Sequence, residues 1–180
     1  MLQWLRSRSQ RQARALELYG SSVAQARQPA FYRDCHVADT LDGRFEVVML
    51  HVAMLLRRLS AEGESGRATG RAVVEQMFAA LDDDMRELGV GDLTVPKRIH
   101  KAASAFYGRL KVYDDALKAS NKVALITAVE RNFPPVEGAL VATKQLAAYI
   151  EELAGRLEQE TLEGLTTGRL RYPQIDGDVS

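Results

Sequence analysis

Residues 47–56, VVMLHVAMLL, constrain the chain more than any other stretch, because they are apolar on nearly every side and interrupted only by His51. A helix without a polar face must be surrounded by other elements. The run is also far short of the roughly 20 consecutive apolar residues that cross a bilayer, so no transmembrane helix is expected. Residues 44–59 therefore read as the central helix of a bundle, and 180 residues suffice to build one core around it.

The flanking sequence supplies the surrounding helices. Residues 13–26 read as a first helix with Leu16, Tyr19 and Val23 inward, stopped by Pro29, after which Phe31 and Tyr32 are expected to dock onto the core. Asp39, Thr40 and Asp42 are each competent N-caps for the central helix. Residues 60–70, rich in Gly and Ser, read as a flexible connection. A third helix over 69–88 carries the stripe Val74, Met77, Leu81, Met85, Leu88, and Gly89 supplies its left-handed stop. Thr94 and Pro96 open a fourth helix with Ile99, Ala103, Phe106, Leu110, Tyr113 and Leu117 in steps of three and four. A fifth helix spans 121–131, ending before Pro134 and Pro135, and a sixth spans 136–157 with Leu146, Ile150, Leu153 and Leu157 inward. No stretch alternates as a strand does, and no internal repeat is present. The expectation is an all-α, single-domain irregular helical bundle of about six helices over residues 13–172, with a basic arm at 1–12 and a frayed tail at 173–180.

Twenty-four Lys and Arg balance 24 Asp and Glu, so no global field draws the chain to nucleic acid, and DNA is not an expected partner. The charge is unevenly placed: residues 1–33 hold six arginines against Glu17, a net of +5, while 151–163 hold five glutamates against Arg156, a net of −4. Leu2, Trp4 and Leu5 lie beside Arg6, Arg8, Arg11 and Arg14, a mixture suited to peripheral contact with an anionic membrane; Trp4, Leu5, Arg6, Arg8 and Arg11 are the expected contact residues. Residues 1–19 share the arginine content of a mitochondrial presequence, yet they lack the apolar stretch and cleavage site of a secretory signal, and they read as a retained bacterial N-terminus. One cysteine, Cys35, cannot form an internal disulfide, which fits a reducing compartment.

Candidates for chemistry are few. The adjacent pair Cys35 and His36 is the only local nucleophile–base combination, and its plainer reading is a half-buried cysteine in a loop. Phosphate-cradling, dinucleotide-binding, HExxH and EF-hand patterns are missing, so neither a cofactor nor a metal is expected. Asp82, Asp83, Asp84 and Glu87 form an acidic cluster around Arg86, while Lys97, Arg98, Lys101, Arg109 and Lys111 place +5 over fifteen residues without an acid. A salt-bridge network between the third and fourth helices is the favoured account, ahead of a metal site. His51 is expected to be a hydrogen-bonded core residue.

Four ordered blocks carry a resemblance. Asp39-Thr40-Leu41-Asp42-Gly43-Arg44-Phe45 with Leu50-His51, then residues 85–92 (MRELGVGD), then Lys97-Arg98, then Phe106-Tyr107-Gly108-Arg109, resemble the ubiquinol-cytochrome c chaperone family over residues 31–117. The resemblance implies a helical, non-enzymatic protein needed to build respiratory complex III, acting as a chaperone for the haem-carrying membrane protein cytochrome b. It also implies a small helper protein as a partner, and a place in the bacterial cytoplasm at the inner membrane, or on the matrix side in a eukaryote. Arg44, Arg86, Lys97, Arg98, Tyr107 and Arg109 are the partner-binding residues it suggests; the competing reading is that they only fix a turn and pair charges. Two other classes stay open: a small helical enzyme acting on a lipid or quinone through His51 or the acidic cluster, and a peripheral-membrane or ribosome-associated binding module using residues 1–33.

Overall fold

The computed structural model describes residues 2–133, 139–166 and 170–175. Among them the chain forms α1 (Leu2–Ala26), α2 (Pro29–Arg33), α3 (Leu41–Ser60), α4 (Gly63–Glu87), α5 (Val95–Lys118), α6 (Lys122–Asn132), α7 (Ala139–Gln159) and α8 (Leu162–Thr166), with no strand. The all-helical expectation holds. Helix α3 packs against α1, α4, α5 and α7, so every residue from Met49 to Leu56 is buried, His51 included. Each large apolar side chain taken out of water there contributes about 1.5–3 kcal/mol before conformational entropy is counted. At the start of α3, Thr40 is the cap, its hydroxyl accepting from the Gly43 amide at 3.1 Å. Gly43 has to be glycine, because a Cβ there would lie 2.0 Å from the Ala38 carbonyl oxygen.

The connection expected at 60–70 is mostly helix. Only Ala61 and Glu62 separate α3 from α4, and the two helices run back to back: a Cβ on Gly66 would fall 2.2 Å from the Leu59 carbonyl oxygen, and one on Gly70 2.6 Å from Leu56 Cδ1. Glycine lowers helix propensity by about 1 kcal/mol. Here the packing of two backbones outweighs that cost, and the Gly-rich composition marks a helix contact rather than a loop.

Further departures follow from packing. The basic arm and the first helix are one element beginning at Leu2. Its inward stripe is Ala15, Leu18, Ser22 and Ala26, with Leu16 58% exposed, because small residues let α1 lie close to α3 and α4. Pro29 opens the short α2, and it is this turn that buries Phe31. The α4 stripe fades at its end, where Met85 is half-buried and Leu88 is 63% exposed. Thr94 precedes α5 but its side chain makes no capping bond. Other expectations hold: Gly89 has φ +78°, and Leu146, Ile150, Leu153 and Leu157 are buried; α6 begins at a cap not among those expected, Asn121, which accepts from the Ala124 amide at 3.0 Å. Tyr172 and Ile175 pack on the core, and the Pro173 carbonyl accepts from Gln25 at 3.4 Å; residues 134–138 and 176–180 lie outside the described residues.

One polar knot sits inside the core. His51 Nδ1 lies 2.7 Å from the Val47 carbonyl oxygen and Nε2 lies 2.7 Å from the Tyr149 hydroxyl. A carbonyl only accepts, so Nδ1 carries the proton and Nε2 takes the Tyr149 O–H. Gln25 in turn donates to Tyr149 at 3.2 Å, so the knot ties α1, α3 and α7. Phe31 and Tyr172 meet the imidazole edge-on at 5.4 and 5.5 Å, and burial in this setting pushes His51 down to about 4, keeping it neutral.

Candidate partner-binding surface

Helices α3 and α4 are antiparallel, and α4 folds back onto α5 through the 88–94 turn, with Phe78 and Phe106 edge-on at 6.0 Å. The start of α3, the end of α4 and the start of α5 therefore share one end of the bundle. Residues 39–45, 85–92 and 97–98, distant in sequence, thus lie toward that same end. Three leucines stand exposed at this end: Leu41 at 62%, Leu88 at 63% and Leu93 at 88%. Isolated exposed leucines need no explanation, but Leu88 and Leu93 belong to one turn and Leu41 opens α3 at the same end of the bundle.

The charged candidates divide into three kinds. Arg44 donates to Asp39 at 2.6 Å, which holds the Asp39 carboxyl below its ordinary range, and stacks 5.9 Å over the Tyr32 ring. Arg86 reaches Asp82 at 2.5 Å and also Asp92, strapping the last turn of α4 to the 88–94 turn. Lys97 and Arg98 are exposed, and among the described residues neither forms an ion pair; Tyr107, farther along α5, is 52% exposed.

Arg109 is different, because it turns inward and donates to Glu46 of α3 at 2.6 Å. Both side chains are less than one fifth exposed, and the second half of the fork is unmade: Glu46 Oε2 and Arg109 Nε are buried without partners. Burial raises the Glu46 carboxyl to about 7, against the opposing pull of Arg109. Beside them Tyr113 accepts from Asn132 at 2.9 Å, joining α5 to α6. Arg109 thus fixes the seat of α5 on α3.

The network expected between α4 and α5 does not form among the described residues. Arg86 satisfies Asp82 and Asp92 within its own segment, Arg109 is taken by α3, and Lys111 pairs with Asp115 at 2.5 Å on α5 itself. No group of three or more His, Cys, Asp or Glu among the described residues is placed to hold a metal ion. Cys35 is buried rather than half-buried, and its thiol is pushed up to about 12, the opposite of nucleophile activation. On α1, Arg8 and Arg14 are exposed and Arg11 half-buried, whereas the side chains of Trp4, Leu5 and Arg6 lie outside the described residues. Sequence reasoning missed Leu41, Leu88 and Leu93 as a group. Leu93 carried a signal, an apolar residue between Asp92 and Thr94 in a turn, while the partnership of Glu46 with Arg109 carried none.

The model of the family described as ubiquinol-cytochrome C chaperone matches residues 33–172, taking in Arg44, Arg86, Lys97, Arg98, Tyr107 and Arg109. The chain belongs to the ubiquinol-cytochrome c chaperone family. Its fold is similar to the crystal structure of the Cbp3 homologue from Brucella abortus, with a TM-score of 0.83 and 36% identity over 97% of each chain. It is 29% identical over 162 residues to mouse ubiquinol-cytochrome c reductase complex assembly factor 1, covering 88% of this chain and 54% of that protein. The human protein of the same name is 30% identical over 119 residues, 66% of this chain and 40% of that protein. The chain spans about half the length of the curated relatives it matches. In this family member no helix among the described residues is long and apolar enough to cross a membrane.

Proposed function

We propose that this chaperone-family chain assists assembly of respiratory complex III by holding newly made cytochrome b through reversible contact, catalysing no reaction. The observation that carries the reading is that the 39–45, 85–92 and 97–98 segments share one end of the bundle, which carries exposed Leu41, Leu88 and Leu93 together with exposed Arg44, Arg86, Lys97 and Arg98. A client with many apolar spans exposes apolar surface until the membrane covers it, and small apolar knobs among charges offer contact that releases again. Tyr107 extends that surface along α5, and Arg109 holds α5 in place beneath it through Glu46.

A photo-crosslinker placed at Leu93 should capture newly made cytochrome b in cells, while one at Glu158, on the far end of α7, should not. Cells lacking the chain should lose complex III selectively. Normal accumulation of mature cytochrome b without the chain overturns the reading.

A peripheral contact with the anionic inner membrane belongs to the same proposal, with a small helper protein as a further partner. It draws on Trp4, Leu5, Arg6, Arg8 and Arg11, all within the single long α1. Deleting residues 1–12 should weaken binding to anionic liposomes; unchanged binding removes this contact.

A further inference from the structure

Ion pairs reach bases on every helix from α3 to α7. Against that pattern, Lys97, Arg98 and Lys101 stand exposed at the start of α5, none in an ion pair among the described residues. Their placement opposes three ordinary preferences. The positive end of a helix dipole disfavours cations, yet Lys97 and Arg98 occupy the first turns of α5, which carry no acid. Like charges four apart repel, yet Lys97 and Lys101 are so spaced. A helix start is ordinarily capped, yet the Thr94 side chain makes no capping bond.

The spacing also puts the three cations on one face, since 97 to 101 is four residues and 98 to 101 is three. Ser104 and Gly108 continue that face toward the middle of α5, both exposed, and a Cβ built on Gly108 meets nothing within 4 Å. Unlike Gly66, this helical glycine is demanded by no neighbour within the chain. Leu93, 88% exposed, lies in the turn that leads into α5 at this end. The face is thus narrow, cationic, shallow at its centre and apolar at its tip.

We propose that this face of α5 docks an acidic, amphipathic helical segment of a partner polypeptide, its carboxylates meeting Lys97, Arg98 and Lys101 and its apolar edge meeting Leu93. The proposal rests on the reading of this end of the bundle as the partner-binding surface, and it adds the chemistry of what binds. A narrow occupant fits better than an anionic membrane. The same end of the bundle carries exposed Asp83, Asp84 and Glu87, in the last turns of α4 with no ion pair among the described residues, so three acids offset the three cations there for a broad anionic sheet, whereas an occupant one helix wide can engage the cations alone.

The test uses the full chain and a fluorescent helical peptide of about 18 residues made of Leu and Glu with one apolar stripe. Anisotropy should show binding that weakens with salt and falls at least about tenfold in the triple variant Lys97→Glu, Arg98→Glu, Lys101→Glu, with unchanged helicity by circular dichroism. The same peptide with Lys for every Glu should prefer the variant. Equal binding of the Glu peptide to both proteins overturns the proposal. So does binding of phosphatidylglycerol vesicles, but not of the peptide, that is lost in the variant. If the peptide arm fails while loss of the chain still lowers complex III, the docking inference falls and the chaperone reading stands; if the peptide binds as expected and complex III is unaffected by loss of the chain, the reverse holds.

Discussion

In the second half of α5, Lys111 reaches Asp115 at 2.5 Å, Lys118 reaches Asp114 at 2.6 Å, and Asp114 also receives Arg57 of α3 at 3.0 Å; in the first half, Lys97, Arg98 and Lys101 reach no acid among the described residues. The contrast extends into the neighbouring helices. Near the second half, Arg58 donates to the Leu157 and Glu160 carbonyl oxygens at 2.8 Å each and to Glu62, closing the end of α7. An open pocket of about 380 Å³ there is lined by Arg57, Arg58 and Lys118, but Asp114 and Glu158 answer its cations. One helix therefore carries a half whose charges are paired, through Asp114 with α3 and otherwise within α5, and a half whose cations have no ion pair among the described residues. The docking proposal for the first half of α5 rests on that contrast.

The strongest test of the holding half is Arg58→Ala. This side chain is only 10% exposed, and its loss removes a donor from the Glu160 carbonyl and from Glu62 and leaves the Leu157 carbonyl only the longer bond from the Glu160 amide at 3.3 Å, so unfolding free energy should drop by about 3 kcal/mol in urea titrations. A drop of a few tenths would erase the distinction between the halves.

Between them lies the Arg109–Glu46 pair, which pH can probe. The folded Glu46 carboxyl, at about 7 instead of 4.5, keeps its proton where the unfolded chain has lost it, so its contribution is full at low pH and is lost as pH rises from 4.5 to 7. Arg109 of α5 and Asp42 of α3 are the charges acting on it. His51 acts oppositely: unfolded it takes a proton below 6.5, folded only near 4, so stability is lost as pH falls through that window. From pH 4.5 to 6.5 the two should nearly cancel. Glu46→Gln should uncover the His51 slope, a rise in stability approaching about 1.4 kcal/mol per pH unit in thermal or urea unfolding. An unchanged profile would place Glu46 outside the load shared by α3 and α5.

On the outward face of α5, smaller effects of opposite sign are expected. Gly108→Ala should raise stability by about 1 kcal/mol, because no neighbour needs the glycine. Lys97→Glu with Arg98→Glu should raise it by about 0.5 kcal/mol by matching the helix dipole, while impairing complex III assembly. A variant more stable yet less active separates binding from folding; loss of stability would show that these cations hold the bundle after all.

Much of the bundle was legible in the chain. The unbroken apolar run around His51 marks α3 as central, the spacings in α7 put Leu146, Ile150, Leu153 and Leu157 inside, and Gly89 ends its helix segment with positive φ. Hydrophobicity alone points Leu16 inward, although it is 58% exposed, and composition alone makes Gly66 a loop residue, although the close approach of α3 requires a glycine there within a helix. The candidate surface was legible as motif blocks and charges. Which cations were spoken for was not, since Arg109 and Arg98 look alike until α3 brings Glu46 to one of them.

Periodicity, caps and the sign of each charge are local properties, and the sequence by itself determined them: helices, a buried centre, a basic stretch at 97–111. Partnership between residues such as Glu46 and Arg109, or Gly66 and Leu59, depends on how separate helices are brought together in space, which no local pattern encodes. Spacing by itself pairs Lys111 with Asp115 and Lys118 with Asp114, while tertiary packing alone decided that Arg109 turns inward to Glu46 and that Lys97, Arg98 and Lys101 stay outside.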